Sequence, residues 1–229
     1  MNDHVLVSAK GLEKTFTIGS QEVHALRGVN FELKHGEFAS LVGPSGSGKS
    51  TLLNLIGALD SISGGELSVL NHDISKLSKE ERARLRLSSL GFVFQAYNLV
   101  PVLTAVENVE FVLELQGVGA EKRGRAMEIL SELGLTDLAD RRPSELSGGQ
   151  QQRVAVARAV VSRPKLVLAD EPTANLDGEN AESLMELMLN LNNRYGMTFL
   201  FATHDPRMMN HAARVITLTD GVITSDAVR

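Results

Sequence analysis

The sequence predicts an α/β fold: a parallel sheet with crossover helices, carrying an antiparallel β lobe and an inserted helical lobe. Three observations lead there. Short runs at Phe38 to Val42, Lys165 to Ala169 and Thr198 to Ala202 have the apolar density of strands covered on both faces. The last two flank a helical pattern from Gly178 to Tyr195, the βαβ rhythm of a parallel sheet. Between Ala96 and Arg158 strand signals are scarce and helical periodicity dominates, as expected of an insertion.

Taken in order, Val5 to Ser8, Lys14 to Ile18 and Val29 to Leu33 are rich in β-formers, with Gly11, Gly19 and His35-Gly36 as turn signals, and read as a small antiparallel sheet. Phe38 to Val42 leads through a glycine-rich loop into Leu52, Leu53, Ile56 and Leu59 at helical spacing. A Ser/Gly cluster then breaks the helix, and Glu66 to Leu70 returns to the N-terminal sheet. Ser78 to Leu90 is charged and helical, and Gly91 to Gln95 reads as a buried strand with a polar last residue. Helices follow over Ala105 to Leu115, Glu121 to Leu133 and from Gln150 onward, and Val215 to Ser225 closes as a hairpin around Asp220-Gly221.

The whole is expected to form one domain over 1–229, its core and β lobe built from 1–95 and 159–229 and its helical lobe from 96–158. A length of 229 residues suits one large domain, and 43% apolar with 22% charged residues excludes a disordered or collagenous chain. The net charge of −5 gives no broad positive field, so no direct nucleic-acid partner is expected. The absence of Cys excludes a disulfide framework and a thiolate zinc site. Asp3, His4, Ser8 and Lys10 interrupt the apolar stretch a secretion signal needs, and no apolar run approaches the roughly 20 residues that span a bilayer.

Gly43-Pro44-Ser45-Gly46-Ser47-Gly48-Lys49-Ser50 fits G-x-x-x-x-G-K-[ST] between an expected strand and helix. Glycines let successive N–H groups point inward, and the following helix adds its positive end, making a cradle for a polyphosphate. Lys49 would reach the β and γ phosphates, Ser50 would offer its hydroxyl to Mg²⁺, and Thr51 would either cap the helix or contact the α phosphate. The motif is expected to be the phosphate loop of a P-loop nucleotide triphosphatase, with Mg²⁺ beside the bound polyphosphate. Leu166 to Glu171 delivers two carboxylates at a strand end, where open α/β sheets bind ligands. Asp170 is read as the metal-side acid and Glu171 as the general base for the attacking water.

Leu146-Ser147-Gly148-Gly149-Gln150, followed by a helix-forming run to Val161, resembles the signature motif of ATP-binding cassette (ABC) ATPases. The resemblance extends over nearly the whole chain: Gln95 matches that family's Q-loop, Ala174 to Asp177 its D-loop, and Thr203-His204-Asp205 its switch histidine, in family order. It implies an ABC nucleotide-binding domain that hydrolyses ATP, with Gln95 as a further Mg²⁺ contact and His204 at the γ phosphate. It also implies a head-to-tail pair in which Ser147, Gly148, Gly149 and Gln150 of one copy bind the nucleotide held by the other. Without that resemblance the segment could simply be a serine-capped helix start. Asp177 is implied at the nucleotide site. Phe16 stands where relatives usually place a Tyr that stacks on adenine, and it could instead be a core side chain of the β lobe.

GFVFQAYNLVPVLTAVENV, RPSELSGGQQQRVAVARA and LADEPTANLD are similar to the lipoprotein-release and macrolide-export branch of the family. That branch implies a separate transmembrane permease as partner and a peripheral place on the cytoplasmic face of the plasma membrane. Ala96 to Leu103 would border the docking groove, with Tyr97, Leu99 and Val102 exposed to the permease or packed in the helical lobe. A regulator of cell-wall enzymes, or a soluble cassette ATPase acting on ribosomes or DNA, are the alternatives.

Overall fold

The computed structural model describes residues 4–229; Asp3 lies outside them. Two sheets stand side by side. The first is antiparallel, built from β1 (Val5–Ile18), β2 (Gln21–Lys34), β4 (Gly64–Val69) and the two-residue β5 (His72–Asp73) in the order β2-β1-β4-β5. The second runs β10-β9-β3-β8-β7-β6, with β3 (Phe38–Val42), β6 (Leu90–Val93), β7 (Leu166–Asp170) and β8 (Thr198–Thr203). Its pairings β6·β7, β7·β8, β8·β3 and β3·β9 are parallel, and only the edge hairpin of β9 (Arg214–Thr219) with β10 (Val222–Val228) is antiparallel.

The period-2 alternation of the central strands sorts the interior into two cores, because successive side chains leave opposite faces of a sheet. Phe199 and Phe201 of β8, Val167 and Ala169 of β7 and Phe38 of β3 point to one. Leu200, Ala202, Leu166, Leu168, Ala39 and Leu41 point to the other. The first core is completed by α3 (Ala105–Leu115), α4 (Lys122–Glu132), α5 (Gly148–Val160) and α6 (Gly178–Tyr195). The second is completed by α1 (Lys49–Ile56), α2 (Lys79–Ser89) and the inner face of the antiparallel sheet. Strands buried on both faces explain why these segments read as continuous apolar runs.

Helix starts follow side-chain chemistry. Ser78, Thr104 and Ser147 each accept from the backbone N–H three residues on while the Glu or Gln there reaches back, a reciprocal cap worth about 1 kcal/mol. A four-residue helix, α7 (Pro206–Met209), follows β8.

Several expectations are corrected. Gly11 is not a turn: β1 passes through it as a bulge with φ +56°, its N–H bonded to the Asn30 side chain at 2.7 Å. A Cβ at Gly65 would lie 2.1 Å from the Gly11 carbonyl oxygen, so β4 can pair there only as glycine. Leu59 falls beyond α1 and is exposed. The strand expected to end at Gln95 stops at Val93. The boundary drawn at Arg158 falls inside α5.

Candidate nucleotide site

At the C-terminal ends of β3, β7 and β8 a cleft of about 820 Å³ is lined by the loop residues Pro44, Ser45, Gly46 and Gly48, by Lys49, Ser50 and Thr51 of α1, and by Gln95, Glu171, Ala174 and His204. Motifs more than 100 residues apart in sequence therefore meet in one place, because the parallel register sets Val42 beside Thr203 and Asp170 beside Ala202. The other wall was not foreseen from motifs: Val23, His24, Ala25 and Arg27 of β2 and the Asp220-Gly221 turn. Their only sequence signal is the Asp-Gly hairpin turn, since long-range pairing brings the rest. Gly221 N–H donates to Ser47 O at 3.0 Å and Arg27 N–H to Gly221 O at 2.9 Å, bracing the phosphate loop from behind.

The loop can be built only with glycine at its two ends. Gly43 has φ +151°, and a Cβ there would stand 2.0 Å from Leu218 O; at Gly48, with φ +105°, a Cβ would stand 2.6 Å from Ala25 O. Lys49 is buried, and its ammonium donates to Gly43 O at 2.8 Å and Pro44 O at 3.0 Å, which holds its charge over the mouth of the loop. Gly48 is the N-cap of α1 without a side-chain bond, so Thr51 does not cap the helix and its cleft-facing position is what remains of the expectation.

Glu171 follows β7 in the left-handed region at φ +49°, and its Oε1 lies 2.9 Å from Nδ1 of the exposed His204. Its backbone N–H bonds Ala202 O on β8 at 3.1 Å, which fixes the turn. Asp205, beside His204, is held below the usual carboxylate range by the Arg207 guanidinium, and its carboxylate also accepts the Arg207 backbone N–H at 2.9 Å. The histidine thus sits on an anchored corner.

Asp170 does not line the cleft directly, but its Oδ1 is buried without a hydrogen-bond partner among the described residues. An orphaned carboxylate oxygen at a strand end, with the Ser50 hydroxyl and Gln95 on the cleft wall, fits a hard cation that keeps water and phosphate among its ligands. Among the described residues no group of three or more His, Asp or Glu could hold a metal alone. That donor set suits Mg²⁺ better than a zinc-type cage.

Three sets of expected residues do not join this cleft. Ser147 to Gln150 begin α5 elsewhere: Ser147 Oγ accepts from Gln150 N–H at 3.3 Å, and Ser147 N–H donates to Gln150 Oε1 at 2.9 Å. Asp177 is the exposed N-cap of α6, where the Asn180 backbone N–H and then its side-chain amide hold the carboxyl below its usual range. Phe16 is 38% exposed, which excludes a core role, and the Lys14 ammonium lies 4.8 Å from its ring centroid. Its cross-strand neighbour Val23 does reach the cleft.

The segment after Gln95 divides between the two readings given for it. Of Tyr97, Leu99 and Val102 only Val102 is fully exposed, while Leu99 packs on the first core and the Tyr97 hydroxyl would lie 2.8 Å from a Cβ at Gly148. An apolar groove of about 460 Å³ opens beside this segment, lined by Leu59, Leu87, Phe92, Phe94 and Val112, with Asn98 of the segment itself and Arg158 at its edge. Arg158, its guanidinium pushed down by burial, donates to the carbonyls of Tyr97 and Asn98 and fastens that segment to α5.

A glycine-rich loop closing on a buried lysine, between a parallel strand and a helix and opposite a carboxylate-histidine pair, defines a P-loop nucleotide triphosphatase. Comparison with known proteins narrows the class. Residues 26–174 match the family described as ABC transporter. The chain is 46% identical over 223 residues to lipoprotein-releasing system ATP-binding protein LolD 1 of Caulobacter vibrioides, covering 96% of this chain and 95% of that one. It is 44% identical over 220 residues to the macrolide export ATP-binding/permease protein MacB of Wolinella succinogenes, covering 96% of this chain and 34% of that longer protein. The dimeric ATP-binding cassette MJ0796, solved with ADP and phosphate, superposes with a TM-score of 0.90 at 43% identity, over 97% of this chain and 98% of that one. Its source is Methanocaldococcus jannaschii. The chain belongs to the ABC transporter family and is an ATP-hydrolysing cassette of it.

Proposed function

We propose that this cassette binds and hydrolyses Mg²⁺-ATP as one of two head-to-tail copies and that closure and reopening of the pair drive a separate transmembrane permease. The observation that carries the reading is the split of the motifs. Lys49, Ser50, Thr51, Gln95, Glu171 and His204 share one cleft, whereas the capped Ser147–Gln150 turn stands apart with its hydroxyl-bearing residue exposed. A site whose second anion-binding turn faces elsewhere is incomplete in one chain, and a second copy supplies it. The dimeric cassette that superposes so closely supports this pairing.

In this reading the loop amides from Ser45 to Ser50 and the positive end of α1 hold the phosphates. Lys49 exchanges its carbonyl contacts for phosphate oxygens and neutralises charge that builds on the γ phosphate. Ser50, Gln95 and Asp170 would hold the Mg²⁺, and the ion would supply electrostatic stabilisation of the triphosphate. Glu171 takes the proton of the attacking water, and His204, donating to its Oε1 or turning to the γ phosphate, orients both. Asp177, as the cap of α6, lies at the face that meets the partner copy. Phe16 packs its exposed ring on the adenine, with Lys14 against it.

The relatives named for lipoprotein release and macrolide export support the permease partner, and the macrolide exporters carry ATP-binding and permease parts in one chain. Among the described residues no helix is long and apolar enough to cross a membrane. The Leu59–Phe92–Val112 groove is the surface on which the permease's cytoplasmic segment docks, and the cassette lies peripherally on the cytoplasmic face. The test is Glu171→Gln: ATP binding within about twofold of wild type, turnover lower by roughly 10²- to 10⁴-fold, and a stable ATP-dependent dimer on gel filtration. Unchanged turnover removes Glu171 as the base.

A further inference from the structure

Gln152 lies in α5, two residues after the Ser147–Gln150 segment, and is only 1% exposed. Its Nε2 donates to Pro172 O at 2.6 Å and to Phe94 O at 3.4 Å. The two carbonyls fix which end of the amide is nitrogen, since the reverse would set oxygen against oxygen. Its Oε1 is buried and has no hydrogen-bond partner among the described residues. An orphaned acceptor in an apolar interior is unfavourable, and a residue present only to fill that space would be a Leu or Met. The two carbonyls are not arbitrary: Phe94 immediately precedes Gln95, and Pro172 immediately follows Glu171. The same loops are strapped at other points, with Asn175 Nδ2 on Gln95 O at 2.9 Å and Arg158 of α5 on Tyr97 O at 3.0 Å.

We propose that Gln152 is a positioning residue for hydrolysis, tying α5, and with it the glycine turn that receives the partner's nucleotide, to the two loops that place Gln95 and Glu171 around the attacking water. It touches neither substrate nor metal and acts through those backbones. The proposal rests on the ATPase reading above. It accounts for a polar side chain kept in the core at the junction of three segments, and for why the loop after Val93 leaves the sheet: its carbonyls bond side chains instead of a neighbouring strand.

The experiment is steady-state ATP hydrolysis by wild type and Gln152→Glu from pH 6 to pH 9. The variant keeps length and shape, but as a carboxylate it faces two carbonyl oxygens, whereas protonated it regains an O–H donor for Pro172 O. Burial and those oxygens raise its pKa, so the exchange falls within this range. The deficit is read as the ratio to wild type at each pH, both proteins keeping Glu171 and His204. The kcat deficit should shrink from about 100-fold at pH 9 to under about 10-fold at pH 6, with KM for ATP within about twofold throughout. A deficit that is constant with pH, or one that lies in KM, overturns the proposal. Gln152→Met, of similar volume and without a donor, provides a second reading should the carboxylate unfold the chain. It should lose about 10-fold in kcat at every pH while melting at or above the wild-type temperature; wild-type kcat in this variant also overturns the proposal. Absence of hydrolysis by the wild-type protein would instead remove the ATPase reading itself.

Discussion

Glu171 holds a φ of +49° although it has a Cβ, a conformation that costs an L-residue about 1–2 kcal/mol. The turn is over-determined by its surroundings: its N–H bonds Ala202 O, its carbonyl accepts Ala174 N–H at 3.2 Å, and its carboxylate meets His204. Strain concentrated on the residue proposed as the general base aims its carboxylate into the cleft from a strand that would otherwise bury it. It predicts a reversal of the usual order of small residues. Glu171→Ala and Glu171→Gly should both abolish hydrolysis, yet the glycine variant should be the more stable by about 1 kcal/mol in chemical denaturation, where glycine is ordinarily the weaker choice. An alanine variant equal to or more stable than glycine would mean the backbone relaxes once the carboxylate is gone. At this scale the phosphate loop, Glu171 and His204 were legible, because each motif fixes backbone geometry locally. Family order implies Asp177 at the nucleotide, and within the single chain its carboxylate caps α6.

At the scale of elements, α4 is tied to the end of α6. The Tyr195 hydroxyl donates to Glu132, Arg194 reaches the same carboxylate at 3.0 Å, and the guanidinium carbons of Arg163 and Arg194 stand 5.1 Å and 5.4 Å from the ring centroid. Burial and then the Glu132 bond push the Tyr195 hydroxyl up to about 12. The unfolded chain ionises it near 10, so this contribution is fully present below pH 10 and is lost as pH rises through 12. Wild type should therefore be more stable than Tyr195→Phe up to about pH 10, and the two should converge by about pH 12 in denaturation titrations. A gap independent of pH would mean the hydroxyl contributes only packing. Helices α3 and α6 matched their expected limits because Thr104 with Glu107, and Asp177 with Gly196, mark the ends chemically. What escaped was short or non-local. Strand β5 and helix α7 are too brief for any period, the bulge at Gly11 looks like a turn in sequence, and the end of β6 depends on side chains from α5 and the Pro172 loop. The β2 wall of the cleft, Val23 to Arg27, became visible only through its contact with the Asp220-Gly221 turn.

For the molecule as a whole, the separation of the Ser147 turn from the Lys49 cleft makes a quantitative demand on pairs of chains. In a head-to-tail pair each nucleotide is held by the loop of one copy and the partner's glycine turn, so Lys49→Ala and Ser147→Arg each spoil both sites of their own homodimer. Lys49→Ala removes the phosphate charge, and Ser147→Arg sets a bulky cation where the turn must approach nucleotide and metal. In a mixed dimer both lesions fall in one site, and the other combines an intact Lys49 with an intact Ser147. Equal mixing with random exchange makes about half the dimers mixed, each with one sound site, so hydrolysis should rise from near zero toward about a quarter of the wild-type rate. Coupling between sites would lower that ceiling without removing the gain over either parent. Nucleotide binding by monomeric Ser147→Arg should remain unchanged, since its own cleft lacks that residue. A mixture no more active than its parents, when gel filtration demonstrates that subunits have exchanged, would mean that each chain completes its site alone and that the split of motifs has another purpose.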